Sequence, residues 1–261
     1  MIEKIGFIGM GNMATALAKG LVNNRAVLPE QLYAYDIDSV KLATICKEIT
    51  INLCTSLSEL IQSVDTLIIA VKPAMVEQVM LSMKELIQNK VILSLVFGYN
   101  FEKYQSIIDE SNHFLYMIPN IPVQVGEGVI LFEEKHSLSE EEMNDARAIF
   151  SKLGVIETLT TNLMELGGTM SSCAPAFIDL IIESLADGGV MHGLPRDIAY
   201  TLVSQTMLGT GKLQLETKLH PGQLKDMVCS PNGSTIRGIV SLEKVGLRGI
   251  FIDAIDAVLK H

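Results

Sequence analysis

Basic charge is in short supply: the 261 residues carry 20 Lys and Arg against 30 Asp and Glu, a formal net charge of −10 at pH 7. Binding to nucleic-acid phosphates is driven by clustered cations, and the chain has no basic stripe to supply them, so a nucleic-acid partner is excluded. Cysteine is equally sparse. Cys46, Cys54, Cys173 and Cys229 lie far apart without a C-x-x-C pair, so neither a zinc knuckle nor a redox dithiol is expected and the thiols read as reduced. The histidines His113, His136, His192, His220 and His261 never fall at ligand spacing with one another or with cysteine, so no metal site is expected. No uncharged apolar run reaches the roughly 18 residues of a membrane span, and MIEKIGF lacks the basic, apolar and small-residue regions of a signal peptide. The expectation is a cytoplasmic protein with no membrane partner. Internal repeats and low-complexity segments are also lacking.

What is present is a 48% hydrophobic content, enough in a chain of this length for a full core and for two domains of ordinary size. Its first part alternates short apolar runs with helical patterns. Strands are predicted at 2–8, 31–36, 65–71, 90–97, 113–118, 128–133 and 154–159, with helices between most of them. Such alternation is the mark of βαβ units and a largely parallel sheet. A helix over 139–153 is announced by Ser139 as its cap with Glu142 three residues on.

From about residue 162 the strand signals stop, and helices are predicted at 163–192, 195–217, 221–229, 234–245 and 247–260. The domains are therefore 1–161 and 162–261. No charged residue stands between Glu165 and Asp179, and Leu166, Met170, Cys173, Phe177 and Leu180 make that stretch apolar nearly all round, as suits a helix buried on several sides. In so small a helical domain much of that burial is expected from a second subunit. Asp179, Glu183 and Asp187, spaced by four, read as a solvated stripe.

The stretch IGFIGMGNMATALAKGL at 5–21 carries the first chemistry. An apolar strand breaks into Gly-Met-Gly and resumes with Met13, Leu17 and Leu21 on one helix face, a strand-to-helix turn. Gly9-x-Gly11-x-x-Ala14 fits the dinucleotide fingerprint: Gly9 for the tight turn, Gly11 for close approach of a pyrophosphate, Ala14 for close helix packing. Gly9, Gly11, Asn12 and Met13 are thus the candidate phosphate cradle at a helix N-terminus. Asp36 ends the second strand, where a carboxylate accepts from both ribose hydroxyls and repels a 2′-phosphate. It favours NADH over NADPH, and no Arg follows it. The alternative is that Asp36 only caps the helix beginning near residue 39. Val71, Lys72, Pro73 and Asn120 fall at C-terminal strand edges, where this kind of sheet binds ligands, and are assigned to the cofactor. Lys72 as a plain surface lysine is the alternative.

SPNGST at 230–235 reads as an Asn232-Gly233 turn opening a helix. Free N–H groups of Gly233, Ser234 and Thr235 with the hydroxyls of Ser230 and Thr235 make either a receptor for a small carboxylate or an ordinary helix cap.

With the glycine turn, AVKP at 70–73, PNIP at 119–122, LADGGVMHGLPR at 185–196 and HPGQLKDMVCSPNGSTI at 220–236, the chain resembles the Δ1-pyrroline-5-carboxylate reductase family over its whole length and in order. The family's last stretch typically reads H-P-x-x-L-K-D-x-V-x-S-P-G-G-T-T. The resemblance implies an α/β fold, a Rossmann-type dinucleotide-binding domain followed by an all-helical dimerisation domain that interlocks two subunits. It implies NAD(P)H-dependent hydride transfer to the C=N bond of 1-pyrroline-5-carboxylate, giving proline. It favours Ser230, Gly233, Ser234 and Thr235 as the substrate site, with Thr235 touching the imine nitrogen. Departures stand at Ser171-Ser172-Cys173-Ala174-Pro175-Ala176-Phe177 for S-G-S-G-P-A-Y, at Ile118-Pro119-Asn120-Ile121-Pro122 for M-P-N-T-P, and at Ser230-Pro231-Asn232-Gly233-Ser234-Thr235 for S-P-G-G-T-T. Ile37 stands where NADP-using members often carry a basic residue. A β-hydroxyacid dehydrogenase is the enzyme alternative, but it needs an acid/base lysine early in the second domain and none occurs between Lys152 and Lys212. A non-catalytic nucleotide-binding relative is the other alternative, motivated by the altered 171–177 segment.

Overall fold

Both faces of a parallel sheet are covered by helices, so its central strands are mostly apolar and their side chains divide alternately between two cores. In the computed structural model, which describes residues 2–108 and 111–260, this is the organisation of the first part of the chain. The strands are β1 (Ile5–Ile8), β2 (Leu32–Tyr35), β3 (Asn52–Leu53), β4 (Thr66–Ile69), β5 (Val91–Ser94), β6 (His113–Pro119), β7 (Gly128–Glu133) and β8 (Gly154–Leu159). They form one sheet in the order β3-β2-β1-β4-β5-β6-β7-β8. Neighbours run parallel except β6 and β7. Phe7, Ile68 and Leu93 point into one core with Leu17, Leu42 and Phe150. Ile8, Ile69 and Ile92 point into the other with Leu60, Met80 and Tyr104.

The helices of this part are α1 (Asn12–Asn23), α2 (Ser39–Ile49), α3 (Leu57–Ser63), α4 (Val76–Met83), α5 (Phe101–Gln105), α6 (Glu140–Phe150) and α7 (Thr161–Gly168). The cap expected at Ser139 is a reciprocal capping box: Glu142 N–H donates to Ser139 Oγ at 3.3 Å, and Ser139 N–H donates to Glu142 Oε2 at 2.7 Å. The predicted helix over 139–153 ends in a 3₁₀ turn at Ser151–Leu153. The short strand β3 was not expected; two residues are too few for an alternating pattern to show.

One prediction is corrected. The single helix read over 163–192 is three elements: α7, a π-helical turn at Thr169–Cys173, and α8 (Ala174–Met191) with Pro175 in its first turn. Proline lacks the N–H that a continuing helix would need and is tolerated only at such a start. Packing divides the chain into Met1–Ser172 and Cys173–His261, whereas the sequence boundary at 161/162 follows the loss of strand signals. α7 packs with the sheet, since Met164 is buried in the second core.

The second unit holds α8, α9 (Arg196–Thr217), α10 (Pro221–Met227), α11 (Ser234–Lys244) and α12 (Leu247–Leu259). α8 and α9 pack together, as do α11 and α12. Among its described residues only Ala186 and Ala199 are buried. Asp179, Glu183 and Asp187 are exposed, and Asp187 pairs with Arg196 across the α8–α9 turn. His261 lies outside the described residues.

Candidate functional site

The crevice at which a doubly wound sheet reverses its strand order lies between β1 and β4, and ligands bind outside the carboxyl ends of such strands. Gly9 stands at that end of β1 with φ of +92°, and a Cβ there would lie 2.8 Å from the Ala70 carbonyl oxygen. Only glycine lets β1 turn so close to β4. Gly11 serves differently: a Cβ there would meet nothing within 4 Å, so its face is open to a ligand. It caps α1 with no side-chain hydrogen bond, and the first backbone bond of the helix runs from Thr15 N–H to the Gly11 carbonyl. Among the described residues no backbone acceptor meets the N–H groups of Asn12 and Met13. Open space, free donors and the positive end of a helix dipole fit a pyrophosphate.

Asp36 faces this turn. Its Oδ2 accepts from Met10 N–H at 2.6 Å and its Oδ1 from Asp38 N–H at 2.9 Å. The cap of α2 is Asp38, whose carboxylate accepts from Lys41 N–H at 3.0 Å. Asp36 is therefore not the helix cap, and each oxygen keeps acceptor capacity beside the glycine turn. Ile37 next to it is 85% exposed. Val71 packs over Gly9, its Cγ1 3.2 Å from the position a Cβ would take. Lys72 is exposed and precedes a 3₁₀ turn at Pro73–Met75.

Asn120 lies at the end of β6 and is 7% exposed. Its carboxamide is held at both ends inside the protein: Oδ1 accepts from Val129 N–H at 2.9 Å and Nδ2 donates to the Ser171 carbonyl at 2.9 Å. Sequence reasoning missed Ser171 as its partner, because nothing in the spacing of 120 and 171 marks a contact. It also missed a pocket of about 230 Å³ at the end of β5, bordered by Phe97, Lys103, Tyr116 and Glu165, since its walls come from three separate stretches of chain. Burial pushes the Tyr116 hydroxyl up to about 12, with smaller contributions from Glu133 and Glu165 in the same direction, so it stays protonated.

In the second unit, Ser230 and Gly233 close a turn with Asn232 in the left-handed region at φ of +59°. The Gly233 N–H donates to the Ser230 carbonyl at 3.0 Å, which corrects the expectation that it is free. The receptor is narrower: the N–H groups of Ser234 and Thr235 at a helix start with no side-chain cap, and the exposed Thr235 side chain. A Cβ on Gly233 would lie 2.5 Å from Ser230 Oγ, so glycine is what lets that hydroxyl fold over the turn. His220 has a structural task, its Nδ1 accepting from Gly222 N–H at 3.0 Å at the start of α10.

Residues 161–261 match the family model described as pyrroline-5-carboxylate reductase dimerisation, and residues 4–98 match that of the NADP oxidoreductases, coenzyme F420-dependent. The chain is 39% identical to the pyrroline-5-carboxylate reductase of Treponema pallidum, covering 98% of both chains. It is 37% identical to that of Methanosarcina acetivorans, covering 97% of this chain and 94% of the relative. The structure is similar to that of Plasmodium falciparum pyrroline carboxylate reductase with NADP bound, with a TM-score of 0.89 at 31% identity over 100% of this chain and 97% of the other.

Proposed function

The chain belongs to the pyrroline-5-carboxylate reductase family, and from that premise we propose that it reduces the C=N bond of 1-pyrroline-5-carboxylate to L-proline with a reduced nicotinamide dinucleotide. The observation that carries the reading is the S-P-N-G-S-T start of α11, an uncapped helix N-terminus, on the same chain as a glycine turn open to a pyrophosphate.

Gly9, Gly11, Asn12 and Met13 would hold the dinucleotide phosphates, with Val71, Lys72 and Pro73 lining the opposite side of the crevice. The bound reduced nicotinamide supplies the hydride. A protonated cyclic imine is already a strong electrophile, so the protein's part is position and one hydrogen bond. The Ser234 and Thr235 N–H groups and the Ser230 hydroxyl receive the substrate carboxylate. The Thr235 hydroxyl meets the iminium nitrogen, which regains its lone pair as the ring carbon is reduced. No side chain has to remove a proton, in keeping with the absence of lysine between Lys152 and Lys212.

NADH is the proposed coenzyme. Asp36 beside the glycine turn presents acceptors to ribose hydroxyls and negative charge to a 2′-phosphate, and the exposed neighbour Ile37 offers no cation. The working assembly is a homodimer or a larger assembly built from dimers, in the cytoplasm. The test is imine-dependent oxidation of NADH and of NADPH by the purified protein. Turnover with a higher kcat/KM for NADH is expected; no imine-dependent turnover with either coenzyme overturns the proposal.

A further inference from the structure

We propose that Asn120 is a positioning residue: it latches the π turn at Thr169–Cys173 to the end of β6 and does not bind the dinucleotide. Each of its polar groups has a partner within the protein. The backbone N–H donates to the Val129 carbonyl and the backbone carbonyl accepts from Val123 N–H, each at 3.2 Å. The side chain accepts from Val129 N–H and donates to the Ser171 carbonyl, each at 2.9 Å. A planar carboxamide held at both ends in a nearly buried place cannot turn to a ligand without leaving a buried donor or acceptor unpartnered.

What Asn120 holds is a turn with reason to need holding. π turns are rare and poorly sustained by their own hydrogen bonds. This one is fixed from outside, by Asn120 on Ser171 and by Ser172 Oγ, which donates to the Pro119 carbonyl at 3.4 Å. Two glycines let it settle against the sheet: a Cβ on Gly167 would lie 2.4 Å from Leu159 Cδ1, and one on Gly168 3.1 Å from Ile118 Cδ1. On its other side the segment that Asn120 begins, a 3₁₀ turn at Ile121–Val125, clamps α1, where a Cβ on Gly20 would lie 2.3 Å from the Val123 carbonyl oxygen. The latch thus ties the helix behind the glycine turn to the last turn of the first unit, after which the helical unit begins at Cys173.

Asn120→Asp is the sharpest test, because it keeps the shape and the acceptor for Val129 N–H while facing the Ser171 carbonyl with an oxygen in place of a donor. Hydrogen–deuterium exchange of the amides at 168–174 should quicken roughly tenfold or more, the effect of one buried hydrogen bond, while the hydrogen-bonded amides of Gly9 and Met10 keep their protection. General destabilisation would instead quicken both segments. Dinucleotide Kd, read by fluorescence, should stay within about twofold, and kcat for imine reduction should fall about tenfold, the magnitude of one such bond. The kinetic arm rests on the proposed activity, and the exchange arm does not. Asn120→Ser, which adds no charge, repeats the exchange and Kd measurements if the aspartate variant fails to fold. Unchanged exchange at 168–174, or a tenfold weaker dinucleotide Kd, would overturn the latch.

Discussion

At the scale of single residues, the glycine turn makes the most exposed claim. Gly9 combines a left-handed φ with contact against the Ala70 carbonyl, so Gly9→Ala meets strain and a clash together. It should cost about 1–3 kcal/mol of stability and weaken dinucleotide binding, read by urea unfolding and by a fluorescence titration. Asp36→Ser with Ile37→Arg should move preference from NADH toward NADPH. Two interactions change, worth together about 2–4 kcal/mol, and an unchanged ratio of kcat/KM for the two coenzymes would contradict the ribose assignment. Thr235→Val keeps the branched shape and removes one hydroxyl. Imine kcat/KM should fall roughly 10- to 150-fold with coenzyme Kd little changed, and a fall of less than about twofold would leave Thr235 only a residue of the helix start. Gly9, Gly11 and Asp36 were legible in the sequence because their chemistry is local: a turn, an open face, a strand end. The engagement of Asn120 with Ser171 was not, because it depends on where the chain returns in space; that of the Gly233 N–H with Ser230 is the local closure of the Asn232-Gly233 turn, and reading that N–H as free left it out.

At the scale of elements, α6 shows how a local signal gains a distant partner. Glu142, read from the sequence as half of a capping box, also meets His113 of β6, with Glu142 Oε2 2.6 Å from His113 Nδ1. Burial raises the affinity of Glu142 for a proton, but the Ser139 N–H and hydroxyl and His113 outweigh it, and its carboxyl lies below the usual glutamate value. A carboxylate that is more acidic folded than unfolded stabilises the fold above its unfolded pKa, and that contribution is lost as pH falls through the folded value. The stability difference between wild type and Glu142→Gln should therefore be largest near neutral pH and shrink in acid, as urea unfolding over a pH series would show. A constant difference would leave His113 and Ser139 without electrostatic effect on Glu142. The central strands were readable because a sheet covered on both faces demands nearly continuous apolar runs, as in Leu67–Ile69 of β4 and Val91–Leu93 of β5. The π turn was hidden because the stretch 166–178 holds no charged residue and its Thr169, Ser171 and Ser172 fit a helix as readily as a π turn.

At the scale of the whole molecule, the two units differ in how much of their apolar surface a single chain can bury. The sheet unit encloses two cores, whereas the helical unit leaves Leu180 63% and Leu202 54% exposed. A leucine facing water tolerates a polar replacement within about 0.5 kcal/mol, whereas one in a subunit interface does not. Leu202→Asp should therefore shift sedimentation toward monomer and lower the melting temperature, and a variant as oligomeric and stable as wild type would place Leu202 outside the interface. The expectation of a second chain rests on the uncharged, largely apolar stretch 166–178; the sequence could not show that only Ala186 and Ala199 would be buried among the unit's described residues. That near-bare unit also sets a rate law. On the proposed dimer, a chain released from denaturant should complete its sheet alone, in a first-order step, while its helices await an encounter. Refolding followed by helix signal should then show a late phase whose initial rate scales with the square of chain concentration, beside an early phase that dilution leaves untouched.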